Sequence, residues 1–210
     1  VLCISELDKI KSDNSFIIFR SMNPARVNDA VMEKIENASQ QIVDVFGLVN
    51  CPLLIQLICD GDNISIVEFS ARTGGGLKYQ LIEQVTGVDI IDATIDISLG
   101  QHVDLNIEES DQLIVNEYLY CNDGIYDHLE GFSELEKDGI IDNYFEFKDP
   151  GTLMDGANSS GDRIASFTIV DNDLERLKKR HVMALKTVKA ISVEGLDIMN
   201  HEISYPLFTE

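Results

Sequence analysis

The chain has 210 residues, enough for one domain or two small ones, and its hydrophobic content of 44% is ordinary for a packed core. It carries 37 acidic against 16 basic residues, a net charge of −21. Such a surface repels nucleic acid and anionic membranes, which excludes both as partners, and it repels a nucleotide unless a cation and local basic groups offset the charge.

No apolar run is long enough to span a bilayer, and no secretory leader is expected. Cys3, Cys51, Cys59 and Cys121 show no metal-binding spacing. Free thiols in a cytoplasmic protein are the expectation, with Cys59 on an apolar face. The chain opens at Val1 in strand-like sequence, so a piece of a longer protein is expected.

Residues 1–7 and 15–20 read as two strands joined by a polar turn. Asn23-Pro24 then offers an N-cap followed by Pro at the first helical position. Val27, Val31, Ile35, Ala38, Ile42, Val45 and Phe46 follow at spacings of three and four, which predicts a long amphipathic helix ending near Gly47.

The stretch 53–76 predicts a β-hairpin running into a glycine-rich loop, with the turn at 60–63. Period 2 sets Ile55, Leu57, Val67, Phe69 and Ala71 on one face, and Gln56, Glu68, Ser70 and Arg72 on the other. A three-residue loop, Gly61-Asp62-Asn63, pairs Gln56 with Glu68, Leu57 with Val67 and Ile55 with Phe69; a four-residue loop mixes the faces. Oxygen donors then meet on one face, with a guanidinium two pleats on. Hard cations want oxygen ligands and Arg suits phosphate oxygens. Spacing alone favours a solvated face of a half-buried hairpin, because antiparallel sheets often have one wet face.

Leu77, Leu81, Ile82 and Val85 mark a short helix stopped by Gly87. Asp89 caps a second helix with Ile90, Ile91, Thr94, Ile97 and Ser98 inward, and Gly100 ends it. Lys78 is the second basic residue near the loop. Residues 101–111 are polar and acidic and read as a linker. Beyond it, 113–120 alternates as a strand, 128–138 suggests a helix with Phe132 and Leu135 inward, and 140–147 forms a strand. The stretch 149–163, rich in Gly, Asp and Ser, is a long loop. Residues 164–170 form a strand, 173–190 a helix carrying Leu174, Leu177, His181, Leu185 and Val188 on one side, and 191–193 a final strand. His181 reads as a packing or surface residue.

Gln56, then Val67-Glu68-Phe69-Ser70-Ala71-Arg72-Thr73-Gly74-Gly75-Gly76, then Thr86-Gly87-Val88-Asp89, resembles the metal- and phosphate-binding end of the ATP-grasp superfamily. The order of elements in 112–210 resembles the small C-terminal subdomain of its amino-acid ligases and biotin-carboxylase-like members. The resemblance implies an α+β fold. Residues 1–100 would be the C-terminal part of an ATP-grasp domain (an antiparallel sheet with packed helices), 101–111 a linker, and 112–210 a small α+β subdomain. It implies that Gln56, Glu68 and Ser70 hold Mg²⁺ or Mn²⁺, with Ser70 standing where Asn or Asp is usual. Arg72 would contact the transferring or acyl phosphate, and Gly74, Gly75 and Gly76 would close on the acceptor.

The implied activity is ATP-dependent ligation of a carboxylate and an amine through an acyl phosphate, in the manner of amino-acid ligases or carbamoyl-phosphate synthase. The partners implied are small-molecule substrates and an N-terminal part of the same chain, and the pattern leaves room for a homodimer. The fragment alone is expected to be inactive. A non-catalytic binding or assembly module on the same scaffold is the alternative, and an unrelated acidic interaction domain is a third.

Overall fold

A computed structural model describes residues 1–10, 17–108 and 110–207. It divides into two compact units: Val1–Ile4 with Ala25–Asp111, and Ser5–Pro24 with Gln112–Glu210.

The first unit is built on helix α1 (Asp29–Phe46) and a hairpin of β3 (Leu54–Asp60) and β4 (Asn63–Ser70). The N-cap of α1 is Asn28, whose side chain accepts the Val31 N–H, and not Asn23, which ends the preceding strand. Asn23 is committed to a sheet ladder opposite Ile114, so the next Asn along the chain takes the cap. Gly47 ends the helix in the left-handed region at φ 60, giving its N–H to Asp44 and Val43. The buried stripe is shorter than the periodicity predicts. Val31, Ile35 and Ile42 are inside, while Val45 and Phe46 in the last turn are exposed. The Phe46 ring meets Phe69 edge-on at 4.9 Å, which ties the helix end to the hairpin. Near its start, Asn28 donates to the Asp62 carboxylate at 2.9 Å, and Lys34 donates to the Asp62 carbonyl.

Helix α2 (Lys78–Thr86) ends at Gly87, and α3 (Ile90–Ser98) is capped by Asp89, which accepts from Ile91 and Asp92 N–H. Ile90 and Ala93 are buried on α3, but Ile91 faces solvent, against the predicted inward set. Residues 101–108, 110 and 111 carry no regular structure.

The second unit is a five-stranded antiparallel sheet in the order β1 (Glu6–Lys9), β2 (Ile18–Asn23), β5 (Leu113–Tyr120), β9 (Arg163–Asp171), β7 (Asn143–Glu146). The predicted turn between β1 and β2 falls largely on 11–16, outside the described residues. A smaller sheet runs β10 (Lys189–Ser192), β6 (Gly124–Glu130), β8 (Leu153–Met154). Helices α4 (Phe132–Lys137) and α5 (Leu174–Thr187) complete the unit, and its core gathers Val115, Leu119, Phe132, Phe167, Ile169 and Leu177. Thus residues 5–24 fold with the C-terminal half, because β2 pairs with β5 through Arg20–Asn23.

The predicted helix over 128–138 is two elements. His128 is in strand β6, and α4 starts only after Gly131. Gly131 sits at φ +85, where a Cβ would lie 2.8 Å from the Thr187 carbonyl. A break is built in there, since only glycine takes that conformation without strain. The stretch 149–163 is equally more ordered than predicted. It contains β8 and a 3-10 turn, Ser160–Asp162, whose capping box joins Ser159 and Asp162 reciprocally.

One electrostatic knot in this unit is pH-sensitive. Asp171 is buried, which by itself raises its pKa, but bonds from Arg176, the Asp173 N–H and Arg180 hold it at about 2, below the ordinary 3.8. A depressed carboxylate contributes stability fully above its unfolded value, and that contribution disappears as pH falls toward the folded one. We expect stability to decline between about pH 4 and pH 2 by on the order of 1 kcal/mol from this group, Arg176 being largely in water. Asp171→Asn should be less stable at neutral pH and lose less over that interval. Urea unfolding at a series of pH values reads both, and an unchanged slope would count against it.

Candidate metal and phosphate site

The hairpin register sets Gln56 opposite Glu68 and Ile55 opposite Phe69. The turn is shorter than predicted. Asp60 pairs with Asn63, so only Gly61 and Asp62 form the loop, with Gly61 at φ +58 in the position where a tight two-residue turn favours glycine. The residue gained is absorbed by a bulge. Leu57 pairs with Ile66 rather than Val67, and Val67 is left unpaired and exposed. Without that bulge the shorter turn would flip one strand relative to the other; with it, the Gln56–Glu68 pair survives. Ile55, Leu57, Cys59, Ile64, Ile66 and Phe69 share the second face, although Cys59 lies near the tip and is exposed. None of the four cysteines is in a disulfide.

Residues directly opposite each other in an antiparallel pair lie on one face, with Cβ atoms about 5 Å apart. Gln56 and Glu68 form one such pair and Leu54 and Ser70 the next, so Gln56, Glu68 and Ser70 present oxygen atoms on a single face. Glu68 is exposed, while Gln56 and Ser70 are half-buried. Among the described residues no group of three or more His, Cys, Asp and Glu side chains is placed to hold a metal. The set here contains one carboxylate, one amide and one hydroxyl. An all-oxygen donor set suits a hard divalent cation such as Mg²⁺, which keeps several waters and needs few protein ligands.

Beyond β4 the chain turns sharply. The Arg72 N–H donates to the Ser70 carbonyl at 2.9 Å, and the exposed guanidinium donates to the Thr73 carbonyl at 2.8 Å. Gly74 then passes close to the hairpin and to α2. A Cβ there would stand 3.0 Å from the Lys78 stem and 3.6 Å from a Leu54 methyl. Leu54 belongs to the same face as Gln56 and Glu68, so the glycine loop and the first residue of α2 fold back toward the oxygen-bearing face. A Cβ on Gly75 would meet nothing within 4 Å, and Gly76 adopts φ 66, which favours glycine. Geometry thus gathers Gln56, Glu68, Ser70, Gly74 and Lys78 around one end of the hairpin. Arg72 lies at its border with its guanidinium turned to the backbone.

The C-terminal unit holds a buried charged cluster that sequence reasoning missed. Arg20 donates through Nε to Glu117 at 2.7 Å and through Nη1 to Asp8 at 3.1 Å, and also bonds the Tyr205 carbonyl. His181 Nε2 meets the same Glu117 carboxylate at 3.0 Å. Burial pushes Glu117 up, but Arg20 and His181 outweigh it and hold its pKa below the ordinary value. The cross-strand pairing of Arg20 with Glu117 spans 97 residues of chain, and no local pattern announces it.

No family sequence model matches the chain, and no curated protein sequence does. Solved structures do. Phosphoribosylglycinamide synthetase from Anaerococcus prevotii superposes with a TM-score of 0.72 at 18% identity, covering 90% of this chain and 49% of its own. L-amino acid ligase from Bacillus licheniformis gives 0.76 at 16% identity, covering 90% and 50%. The chain has the fold of part of an ATP-grasp protein. The biotin carboxylase domain of a thermophilic 2-oxoglutarate carboxylase, solved with bicarbonate, superposes at 0.63 and 16% identity over 87% of this chain and 42% of its own. The chain therefore spans about half the length of the ATP-grasp structures it matches first. No described helix is long and apolar enough to cross a membrane.

Proposed function

We propose that this chain is the C-terminal part of an ATP-dependent ligase that joins a carboxylate to an amine or related nucleophile through an acyl phosphate. The observation that carries the reading is the pairing of Gln56 with Glu68 beside Ser70 on one hairpin face, in a chain with an ATP-grasp fold. In this reading Gln56, Glu68 and Ser70 would hold Mg²⁺ or Mn²⁺, which when bound neutralises phosphate charge on the nucleotide. Arg72 supplies the guanidinium for the transferring phosphoryl oxygens, swinging off the Thr73 carbonyl to reach them. The carboxylate oxygen attacks the γ-phosphorus of ATP and ADP leaves; the amine then attacks the acyl carbon and phosphate leaves. Positioning and charge compensation, rather than proton transfer by a tuned side chain, account for most of the acceleration. Gly74 and Gly76 let the backbone approach the acceptor closely.

The small-molecule substrates and any dimer belong to the same proposal, as do a cytoplasmic location and an N-terminal portion carrying the remaining nucleotide contacts. The test is phosphate release from Mg-ATP by the chain joined to that portion, in the presence of mixed amino acids and bicarbonate. Release that requires an added acceptor supports the ligase. Nucleotide and Mn²⁺ binding without release favours the second reading, a silent ATP-grasp module. Ser70 is the observation behind that reading, since a hydroxyl is a weaker cation ligand than the carboxylate or amide oxygen usual there.

A further inference from the structure

The small sheet of the C-terminal unit carries an aliphatic surface unrelated to the hairpin. Ile125 on β6 pairs directly with Leu153 on β8, and the Val193 N–H donates to the Ile125 carbonyl at 2.9 Å on the other side. The three form a row across one end of the sheet. The three are exposed while Tyr126, Met154 and Ser192, the residues next to them, are buried, which sets the row on the outer face. Leu196 stands beside the row in the turn that returns to Ser192, with the Ser192 N–H bonded to its carbonyl. Leu153 and Leu196 are respectively 72% and 64% exposed, and Ile125 and Val193 are exposed as well. Single exposed aliphatic residues need no explanation, but four neighbours on a rigid sheet do.

The rim of this surface decides what it fits. The residues flanking the four aliphatics in the chain include Asp123, Asp127, Asp155, Glu194 and Asp197, and no Lys or Arg. A second copy of the chain would bring the same carboxylates against these and add to a net charge of −21, and an anionic bilayer is repelled for the same reason. We propose that this face is a docking site for another polypeptide, one that presents a short aliphatic core flanked by Lys or Arg. The aliphatic core is buried on Ile125, Leu153, Val193 and Leu196, and the flanking cations meet Asp155 and Glu194 at the rim. The inference does not depend on the ligase reading.

The test is titration of the full chain with a lysine-flanked Leu-Val-Leu peptide and with a Ser-core peptide of equal length and charge. The Leu-core peptide should bind at least about tenfold more tightly. Leu153→Ser with Leu196→Ser should remove that preference, and Asp155→Lys with Glu194→Lys should weaken both peptides. All four side chains project into solvent, and circular dichroism checks that the variants fold. Equal binding of the two peptides, or an unchanged preference in the Leu153→Ser, Leu196→Ser variant, overturns the proposal. So does sedimentation showing that the wild-type chain dimerises while that variant stays monomeric, since a second copy is then the occupant.

Discussion

Glu68→Ala is expected to lower acceptor-dependent phosphate release from Mg-ATP by at least about a hundredfold, the scale on which loss of a fixed charge at a phosphoryl-transfer site is felt. The side chain is exposed and sits on a hairpin whose register is set by the turn and the bulge, not by Glu68 itself. Stability should therefore change by no more than about 0.5 kcal/mol. The split between lost turnover and kept fold is what distinguishes a functional carboxylate from a solvated one. Gln56→Ala should act in the same direction with a smaller effect, because a neutral amide oxygen contributes less to cation binding than a carboxylate. Mn²⁺ binding followed by electron paramagnetic resonance supplies the readout independent of turnover, and both variants should weaken it. If Glu68→Ala released phosphate at the wild-type rate, the hairpin face would be a wet surface and nothing more.

The second large effect lies in the C-terminal unit. Glu117→Ala is expected to destabilise the protein by about 3–5 kcal/mol, measured by urea unfolding. Glu117 and His181 are fully buried and Arg20 nearly so. Removing the carboxylate strips Arg20 of its Nε and Nη2 acceptor and His181 of the partner of its Nε2. Asp8 and the Tyr205 carbonyl would remain on Arg20, leaving a guanidinium only partly compensated in a dry site. Among the described residues the Nδ1 of His181 has no partner, so none of them gives the ring a second bond to fall back on. The double variant Arg20→Met with Glu117→Leu removes the charge and its counter-charge together and should be closer to wild type than Glu117→Ala. A Glu117→Ala protein as stable as wild type would mean that water reaches Arg20. The depressed pKa of Glu117 adds a pH consequence. Its contribution is present above the ordinary carboxylate range and is lost as acid protonates it.

The elements set by short-range chemistry were legible from the residues. Gly47 and Gly87 stop their helices in left-handed conformations, Asp89 caps α3, and 113–120 is a strand to the residue. The Gln56–Glu68 pairing follows from period 2, because only one register separates the polar from the apolar side chains. The ATP-grasp resemblance rests on that same short run, and the fold agrees with it.

Tertiary structure decided the rest. Strand β2 pairs with its neighbour β1 on one side, but on the other its ladder partner is β5, more than 90 residues on, so residues 5–24 join the C-terminal unit. The predicted 128–138 helix failed because Gly131 must pass within contact distance of Thr187, a constraint set by the far end of α5. The two-residue turn and the bulge at Val67 cancel each other, so the site register is right although the loop length was not. Arg20, Glu117 and His181 look unremarkable in sequence and become a buried charged cluster only when two strands and a helix converge. A local pattern records what each residue does to its own backbone. It does not record which distant strand will desolvate it.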